Sequence, residues 1–334
     1  VIGFVGSDGQ GSYGIEYSWD SFLSGTAGKS VSLKDASQSE IANSKQTYIA
    51  AENGYDITLT IDSNIQHIVE RHLSQAVEDY KCDSGITIAM NPSTGKILAM
   101  ADYPSFDCNS KDTPNSHLAQ IWDTLSDKDK TNSIFRMWTP KAVTDMYEPG
   151  SVFKIITSAI AIEEGIIDTD SVSFNCTGSY LVEGEKRPIQ CHKYPLSHGS
   201  QTLRQALSNS CNPAFMQLGQ RIGPTLLYKY FEAFNLFGKV GDDIAKTYNG
   251  VFFKQEEIGP AELATMSFGQ RIEISPLQLV TAVSAIANDG VYKTPIFYTS
   301  VTDLNGNILY EPEQEERVVM TEQNAYIEKS ILTQ

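Results

Sequence analysis

The sequence predicts an α/β or α+β enzyme core, and two features of the chain indicate it. Strand-like alternation and helix-like periodicity follow one another repeatedly from residue 56 onwards. A strong apolar helix is predicted from Ser151 to about Glu164, directly after the structure-breaking run Glu148-Pro149-Gly150 and closed by Gly165. Helices and strands that alternate in this way bury their apolar faces against each other in a layered core.

The predicted elements divide the chain into a small first module and one large domain. Residues 1–55 are rich in Gly and Ser and predict short strands and loops, whereas residues 56–334 form the large domain. The domain is expected to contain a strand at 56–61, a helix capped by Asp62 or Ser63, a hairpin at 85–101, helices near 118–125, 202–209, 213–222 and 259–287, a strand pair at 291–309 and a last helix from Thr321. Residues 107–145 are otherwise expected to be irregular, and residues 171–200 to be loops.

Composition and charge exclude several classes of function. Hydrophobic residues make up 41% of the 334-residue chain and charged residues 20%, which is enough apolar surface for a sizeable core. The formal net charge is −16, so nucleic acid is not an expected partner, because phosphate binding needs a basic face. The sequence holds no apolar run of transmembrane length, and because it begins with Val1 rather than Met, we expect any export or anchor segment to lie upstream.

Ser151 and Lys154 are the strongest candidates for catalytic residues. They stand three positions apart at the start of the predicted helix, so their side chains share one helix face. A serine hydroxyl is a weak nucleophile until a base removes its proton, and a lysine amine can be that base where burial lowers its pKa. The apolar residues after Lys154 would draw its side chain inwards. The same spacing also fits a serine that only caps a helix beside a solvated lysine.

A second candidate element is the run Ser208-Asn209-Ser210-Cys211-Asn212-Pro213 between two predicted helices. Ser210 and Asn212 offer a hydroxyl and an amide from one short loop. A Ser-x-x-Lys followed by this element is a far more specific pattern than either alone, and it is typical of penicillin-binding proteins and β-lactamases.

On these residues the chain resembles the class B penicillin-binding proteins, in particular their elongation-type and SpoVD-like branch. The likeness runs over nearly the whole length. It includes Gly3-Phe4-Val5-Gly6, Gly14-Ile15-Glu16-Tyr17, Leu59-Thr60-Ile61-Asp62, the run from Met90 to Met100, Tyr147-Glu148-Pro149-Gly150-Ser151, Ser210-Cys211-Asn212, Met266-Ser267-Phe268-Gly269-Gln270 and Pro276-Leu277-Gln278-Leu279. The resemblance implies the serine transpeptidase fold of this group, a central antiparallel sheet flanked by helices, with residues 1–55 as part of a β-rich N-terminal pedestal.

The resemblance also implies an activity, that of a D,D-transpeptidase that cross-links peptidoglycan. Ser151 would attack the D-Ala-D-Ala amide of a stem peptide with Lys154 as the base. Ser210 would pass a proton to the leaving amine, and Asn212 would orient the acyl amide. β-Lactams would acylate Ser151 because they mimic that amide. A membrane glycosyltransferase is the expected partner, and the expected location is the outer face of the cell membrane, with an N-terminal helix as anchor.

One departure from the family pattern concerns its third element, Lys-Thr/Ser-Gly on a core strand. Neither form occurs in the sequence, and Lys293-Thr294-Pro295 does not replace it, because proline lacks the N–H that this strand must donate. The missing strand should supply a second oxyanion N–H and a hydroxyl that binds the substrate carboxylate. Since the sequence stops at Gln334 within a predicted helix, we expect the strand to follow in a longer chain; an inactive copy is the alternative.

A cluster of sulfur and imidazole ligands predicts a structural zinc site beside the second element. The chain has five cysteines, three of which stand at positions 176, 191 and 211. Three thiolates and one imidazole make a four-coordinate zinc set, and the resemblance selects His198 over His192 as the imidazole. The predicted ligands are therefore Cys176, Cys191, His198 and Cys211. A disulfide between Cys176 and Cys191, or a buried free thiol at Cys211, are the alternatives.

Two rival functions share part of this pattern. A β-lactamase or β-lactam sensor would need Ser151 and Lys154 but no glycine-rich pedestal, and rapid turnover of a chromogenic cephalosporin would favour a lactamase. A non-catalytic cell-wall scaffold would explain the missing Lys-Thr-Gly. The residues after Gln334 would discriminate between a scaffold and an enzyme.

Overall fold

The computed structural model describes residues 1–31, 47–241 and 243–333, and it confirms the predicted mixture of helices and antiparallel sheets. The strands are β1 (Phe4–Val5), β2 (Gly11–Ser12), β3 (Lys29–Val31), β4 (Thr47–Ile49), β5 (Asp56–Leu59), β6 (Gly85–Met90), β7 (Ile97–Tyr103), β8 (Phe174–Cys176), β9 (Ser179–Tyr180), β10 (Ile189–Gln190), β11 (Gly199–Gln201), β12 (Val291–Lys293), β13 (Tyr298–Thr302), β14 (Ile308–Tyr310) and β15 (Glu316–Val318).

Thirteen α-helices lie in these ranges. They are α1 (Gly14–Ser18), α2 (Asp20–Leu23), α3 (Ser63–Tyr80), α4 (Ser116–Ile121), α5 (Asp127–Trp138), α6 (Lys141–Thr144), α7 (Lys154–Glu163), α8 (Leu203–Ser208), α9 (Asn212–Ile222), α10 (Pro224–Ala233), α11 (Pro260–Met266), α12 (Pro276–Ala287) and α13 (Glu322–Leu332). Among the helices of these ranges, none has the length and apolar character needed to cross a membrane.

Antiparallel pairing builds the central sheet. β13 lies between β5 and β14, and β6 and β7 form the predicted hairpin. Thr60 joins the three-stranded sheet to the hairpin, because its buried hydroxyl donates to the carbonyl oxygens of Ile97 at 2.7 Å and Ile296 at 3.1 Å. The alternation of residues 56–61 that predicted a half-buried strand therefore reflects the position of β5 in this sheet.

The N-terminal module differs in part from the predicted short strands and loops of a β-rich pedestal. It contains the strand pairs β1–β2 and β3–β4, but α1 and α2 occupy residues 14–23 between them. Ile15 of α1 is 5% exposed and packs in one apolar cluster with Ile97, Met100 and Phe297. Apolar residues within a glycine-rich stretch thus form helical turns because the large domain offers them a surface to cover. Residues 32–46, also part of this prediction, lie outside the described residues.

The prediction of irregular structure at residues 107–145 was wrong in its second half. α5 runs for 12 residues from Asp127 to Trp138, and Ser126 caps it by accepting a hydrogen bond from the Asp129 N–H. The helix was missed because its first two turns are entirely polar, so it lacks the apolar repeat on which the prediction relied. Its Ser-Asp start is a helix signal that could have revealed it.

The apolar helix α7 forms the centre of the helical layer. Eight of its ten residues are buried, and α8, α9, α10, α12 and α13 pack around it. Such a helix has no polar face, which is the pattern of a fully buried element. α7 therefore holds the residue at its start, Lys154, on a rigid support.

A buried carboxyl group, Glu328 on α13, lies against the middle of α7. Its side chain is fully buried, and its Oε1 atom accepts a hydrogen bond from Ser158 Oγ at 2.5 Å. Its Oε2 atom has no hydrogen-bond partner among the described residues. Burial raises the pKa of Glu328 to about 7, an effect only partly offset by the Ser158 hydrogen bond. The native state therefore binds this proton more tightly than the unfolded chain does.

We expect Glu328→Gln to stabilise the protein above neutral pH. The stability contribution of Glu328 is highest below the unfolded pKa of 4.5 and falls as pH rises through the folded pKa of about 7. The raised pKa of Glu328 corresponds to about 3 kcal/mol of unfolding free energy, or roughly 5 °C in Tm. The variant should therefore gain stability of about this size at pH 8 and little at pH 4. Melting curves across this range check it, with Glu322→Gln at the exposed start of α13 as control. A gain independent of pH would contradict the assignment.

Candidate active site

Ser151 lies in a tight backbone turn at the start of the buried helix. Gly150–Phe153 form a 3-10 turn that leads directly into α7, and Ser151 itself is exposed. Gly269 packs against this turn so closely that a Cβ atom there would lie 2.2 Å from the Gly150 carbonyl oxygen, and that glycine has φ +80°. The Gly150 N–H in turn donates to the Gly269 carbonyl at 2.9 Å. The serine is therefore presented to solvent from a backbone that cannot easily shift.

Two further contacts clamp the segment before Ser151, and the sequence analysis did not anticipate either. Glu148 Oε1 accepts a hydrogen bond from the Arg271 backbone N–H at 2.7 Å. Tyr147 and Ile274 exchange two backbone hydrogen bonds of 3.1 Å. Arg271 has a positive φ of 59°, a conformation that is not predicted for an arginine from residue type. The resemblance covers the segments 147–151 and 266–270 but does not indicate that they contact each other.

Lys154 is buried and points back at the serine. Its side chain is 1% exposed, and its Nζ atom lies 3.0 Å from Ser151 Oγ. The same Nζ atom donates to the Ser210 carbonyl at 2.8 Å, to Ser210 Oγ at 3.0 Å and to Asn212 Oδ1 at 2.7 Å. Burial lowers the pKa of Lys154 to about 8, while the nearby sulfurs of Cys211 and Cys191 act in the opposite direction. About a tenth of this amine is then neutral at pH 7.

The loop between α8 and α9 brings Ser210 and Asn212 to Lys154. Ser210 adopts a left-handed backbone conformation with φ 47°, which orders a sharp turn between the two helices. The backbone N–H groups of Ser210 and Cys211 donate to Leu207 and Ala206, each at 2.9 Å, and close the end of α8. The four residues that the sequence singled out for catalysis thus meet at one amine, although 56 to 58 positions separate Lys154 from the loop.

This arrangement has the parts of a nucleophilic acyl-transfer site. Ser151 is a solvent-exposed hydroxyl, and Lys154 is a desolvated amine in hydrogen-bond contact with it. Ser210 offers a second hydroxyl on the same amine, through which a proton can pass to a leaving group. The backbone N–H of Ser151 belongs to the first turn of the helical segment, where N–H groups lack intrahelical partners and can donate to a developing oxyanion.

The run Lys293-Thr294-Pro295 has a different role from the third family element, as expected. Lys293 ends β12 and forms an ion pair with Glu316 of β15 at 2.5 Å. Thr294 donates its backbone N–H to the Glu315 carbonyl at 3.0 Å. These residues join the edge strands β12 and β15.

The four predicted metal ligands lie together directly behind the catalytic loop. One donor atom from each of Cys176, Cys191, His198 and Cys211 lies within 4.8 Å of every other. His198 Nδ1 is 3.8 Å from Cys176 Sγ and 3.5 Å from Cys191 Sγ. Cys176 is the last residue of β8, and His198 directly precedes β11. The two strands pair with each other, which brings these two ligands together. His192 lies outside this set, with its ring centroid 5.2 Å from that of His198.

The electrostatic state of these ligands varies within the cluster. Burial lowers the pKa of His198, and Lys193 adds to the shift, so the imidazole is neutral at pH 7. Burial would raise the pKa of the Cys176 thiol, but hydrogen bonds with the backbone of His198 and Gly178 and with the side chains of Cys211 and Cys191 together more than offset it, and this pKa is lowered. Burial raises the pKa of Cys211 to about 12. A neutral imidazole and three convergent sulfurs are the donor set that a zinc ion takes.

A cavity of about 600 Å³ lies apart from this site, between the N-terminal module and the large domain. Tyr13, Phe106 and Trp138 line it, together with the carboxyl group of Asp102. Ser151, Lys154 and the cysteine cluster are not among its lining residues. The cavity is therefore separate from the acyl-transfer site.

Comparison with known sequences gives a consistent relationship. The family described as Penicillin binding protein transpeptidase domain matches residues 85–334. Stage V sporulation protein D of Bacillus subtilis (strain 168) is 37% identical over 295 residues, which cover 88% of this chain and 42% of that protein. Peptidoglycan D,D-transpeptidase FtsI of Escherichia coli (strain K12) is 27% identical over 302 residues, 90% of this chain and 46% of that protein. The chain thus spans less than half the length of these curated relatives.

Solved structures share the fold. Penicillin-binding protein A from M. tuberculosis, as an imipenem acyl-enzyme complex, aligns with a TM-score of 0.70 and 27% identity over 84% of this chain and 63% of that one. Penicillin Binding Protein 2X from Streptococcus thermophilus aligns with a TM-score of 0.81 over 99% of this chain and 47% of that one, and its 20% identity makes this a likeness of fold alone.

Proposed function

The chain belongs to the family of penicillin-binding protein transpeptidase domains, and from this membership we propose that it carries the acyl-transfer site of a peptidoglycan D,D-transpeptidase with Ser151 as nucleophile. The observation that carries the proposal is the position of Lys154 Nζ, 3.0 Å from Ser151 Oγ and equally close to Ser210 Oγ. A buried amine with a lowered pKa between two hydroxyl groups can receive a proton from one and return it through the other.

In the proposed reaction, Ser151 Oγ attacks the carbonyl carbon of the penultimate D-Ala of a stem peptide. Neutral Lys154 accepts the hydroxyl proton, and the Ser151 N–H stabilises the oxyanion. The amide C–N bond then breaks, and the proton passes through Ser210 Oγ to the terminal D-Ala amine as it leaves. Asn212 Oδ1 accepts from Lys154. The NH2 group of Asn212 makes no hydrogen bond within the described part of the chain, so it can orient the acyl group.

The second half of the proposed reaction releases the acyl group. An amine of a neighbouring stem peptide attacks the Ser151 ester and loses its proton to Lys154. The ester C–O bond then breaks, and Ser151 Oγ takes the proton back from Lys154 as the cross-link forms. A β-lactam would enter the first half-reaction in the same way but leave an ester that the site does not resolve. Covalent labelling by a fluorescent penicillin that disappears in Ser151→Ala tests the proposal. A β-lactamase would instead turn over a chromogenic cephalosporin rapidly.

The proposed location of the reaction is inferred from its substrate. Peptidoglycan is named as the substrate of the FtsI relatives, so we place the reaction on the outer face of the cell membrane. The anchoring helix and the membrane glycosyltransferase partner that the resemblance implies remain predictions.

We further propose that Cys176, Cys191, His198 and Cys211 bind one structural zinc ion. The donor atoms suit a tetrahedral site, in which bonds of usual length separate two sulfurs by about 3.8 Å and a sulfur from a nitrogen by about 3.6 Å. The two sulfur–nitrogen distances of 3.8 and 3.5 Å are close to that geometry. Zinc would favour the deprotonated form of Cys211 despite its raised pKa. Four protein ligands leave no position for a water molecule, so the ion would be structural.

Removal of this metal should lower stability and β-lactam acylation together. Cys211 stands between Ser210 and Asn212, so the ion would hold the catalytic loop, and metal-binding energy is folding energy. Protein purified without added metal should contain about one zinc per chain, and chelator should lower its Tm by several degrees or more. Cys176→Ser should do the same, whereas Cys82→Ser, at an exposed cysteine, should not. Metal content near zero with reduced thiols would contradict the zinc proposal. A protein mass about two units below that of the reduced chain would indicate a disulfide.

A further inference from the structure

A buried glutamine, Gln201, lies between the cysteine cluster and the catalytic loop. It ends β11, pairs with Phe174 of β8, and is 1% exposed. Glutamine is rarely buried to this extent unless both ends of its amide are paired. The residue has no part in the acyl-transfer steps described above.

Both ends of the Gln201 amide contact the loop that carries Ser210. Its Nε2 atom donates to Cys211 Sγ at 3.3 Å, and its Oε1 atom accepts from Asn209 Nδ2 at 3.0 Å. Asn209 and Cys211 flank Ser210 on either side. The two contacts together fix the orientation of the amide, with its NH2 group toward the sulfur and its oxygen toward the NH2 group of Asn209.

The loop needs such support because its conformation is strained. Ser210 holds φ at 47°, a region that non-glycine residues occupy only when surrounding contacts enforce it. The Ser210 carbonyl and hydroxyl both accept from Lys154. A change in the backbone at Ser210 would therefore move the amine relative to Ser151 as well as the Ser210 hydroxyl itself.

We propose that Gln201 is a positioning residue for acyl transfer: its amide joins Asn209 and Cys211, and so holds Ser210 in the backbone conformation that Lys154 requires. The inference rests on the proposed function, because it assigns Gln201 a role in the same reaction. It also explains why a polar side chain occupies a position in the core directly behind the loop. Gln201 acts through Ser210 and Cys211 and touches no reacting atom.

The test compares acylation of the full-length protein by a fluorescent penicillin in matched variants. Gln201→Met keeps the length of the side chain but removes both hydrogen bonds, and we expect a loss of about 10- to 100-fold in the first-order acylation constant at saturating drug. Asn209→Ala removes one of the two contacts from the exposed side, where misfolding is not expected, and should cost about fivefold, the equivalent of one hydrogen bond. The drug concentration at half saturation should change far less in both.

Gln278→Met is the control for a purely structural loss. Gln278 is 2% exposed and also uses both ends of its amide, donating to the carbonyls of Leu236 and Gly238 and accepting from the Ser275 N–H. This variant should lower Tm at least as much as Gln201→Met yet acylate within about twofold of the parent, per folded molecule.

The outcomes separate this inference from the proposed function. If the parent is acylated at Ser151 but both Gln201→Met and Asn209→Ala acylate like the parent, only the role of Gln201 is overturned. An equal loss in Gln201→Met and Gln278→Met would overturn it too, since that loss would follow stability alone. If the parent itself is not labelled at Ser151, the proposed function fails and the inference fails with it.

Discussion

Replacing Ser151 by Ala should abolish covalent labelling of the full-length protein by a fluorescent penicillin. Ser151 Oγ is the exposed hydroxyl that lies 3.0 Å from the amine of Lys154, and alanine leaves no atom on which an acyl bond can form. Alanine also fits a helical first turn, so the variant should fold like the parent. Intact-protein mass spectrometry after treatment with drug measures the bound fraction directly.

The matched control for this result is Ser208→Ala. Ser208 is an exposed serine at the end of α8, two positions before Ser210, and it has no contact with Lys154 among the described hydrogen bonds. The Ser208→Ala protein should be labelled as fully as the parent. Persistent stoichiometric labelling of Ser151→Ala would show that another residue is the nucleophile, and peptide mapping of the adduct would identify that residue.

Lys154→Ala should acylate about 10²- to 10⁴-fold more slowly than the parent, which is the usual value of positioned general-base assistance. The variant also removes a group that bonds Ser151, Ser210 and Asn212 at once, so its Tm should be measured in parallel. Stopped-flow or gel-based labelling at several drug concentrations gives the rate. Lys229→Ala removes an exposed lysine that pairs with Glu164 and should leave the rate unchanged.

The pH dependence of acylation gives a second measure of the same residue. The base must be neutral, so the parent rate should rise with pH until it passes the lowered Lys154 pKa of about 8 and level off above it. In Lys154→Ala this rise should be lost. Acylation at close to the parent rate, with the same pH profile, would remove Lys154 from the mechanism.

Much of the site could be predicted from short-range sequence pattern. The three-residue spacing of Ser151 and Lys154 places them on one helical face whatever the rest of the chain does. The order of the Ser-x-x-Lys and Ser-x-Asn elements indicated acyl transfer, and the cysteines with His198 indicated a possible ligand set. These inferences were possible because helix geometry and ligand chemistry depend on residue type and local spacing.

The supporting contacts depend on packing between distant segments, and the sequence did not reveal them. Residue spacing cannot show that Gly269 lies against Gly150 or that Arg271 donates to Glu148.

Local pattern determined which residues could react, because an α-helix repeats every 3.6 residues and the Ser-x-x-Lys spacing followed by the Ser-x-Asn element is a specific combination. The tertiary structure alone decided that Lys154 is desolvated and meets Ser210 and Asn212. It also decided that Gln201 is buried against the catalytic loop and that Glu328 is buried against Ser158 of α7. The physical reason is that burial and long-range hydrogen bonds arise only when the apolar faces of α7, α9 and α13 pack together, and only that packing changes the pKa values on which the chemistry depends.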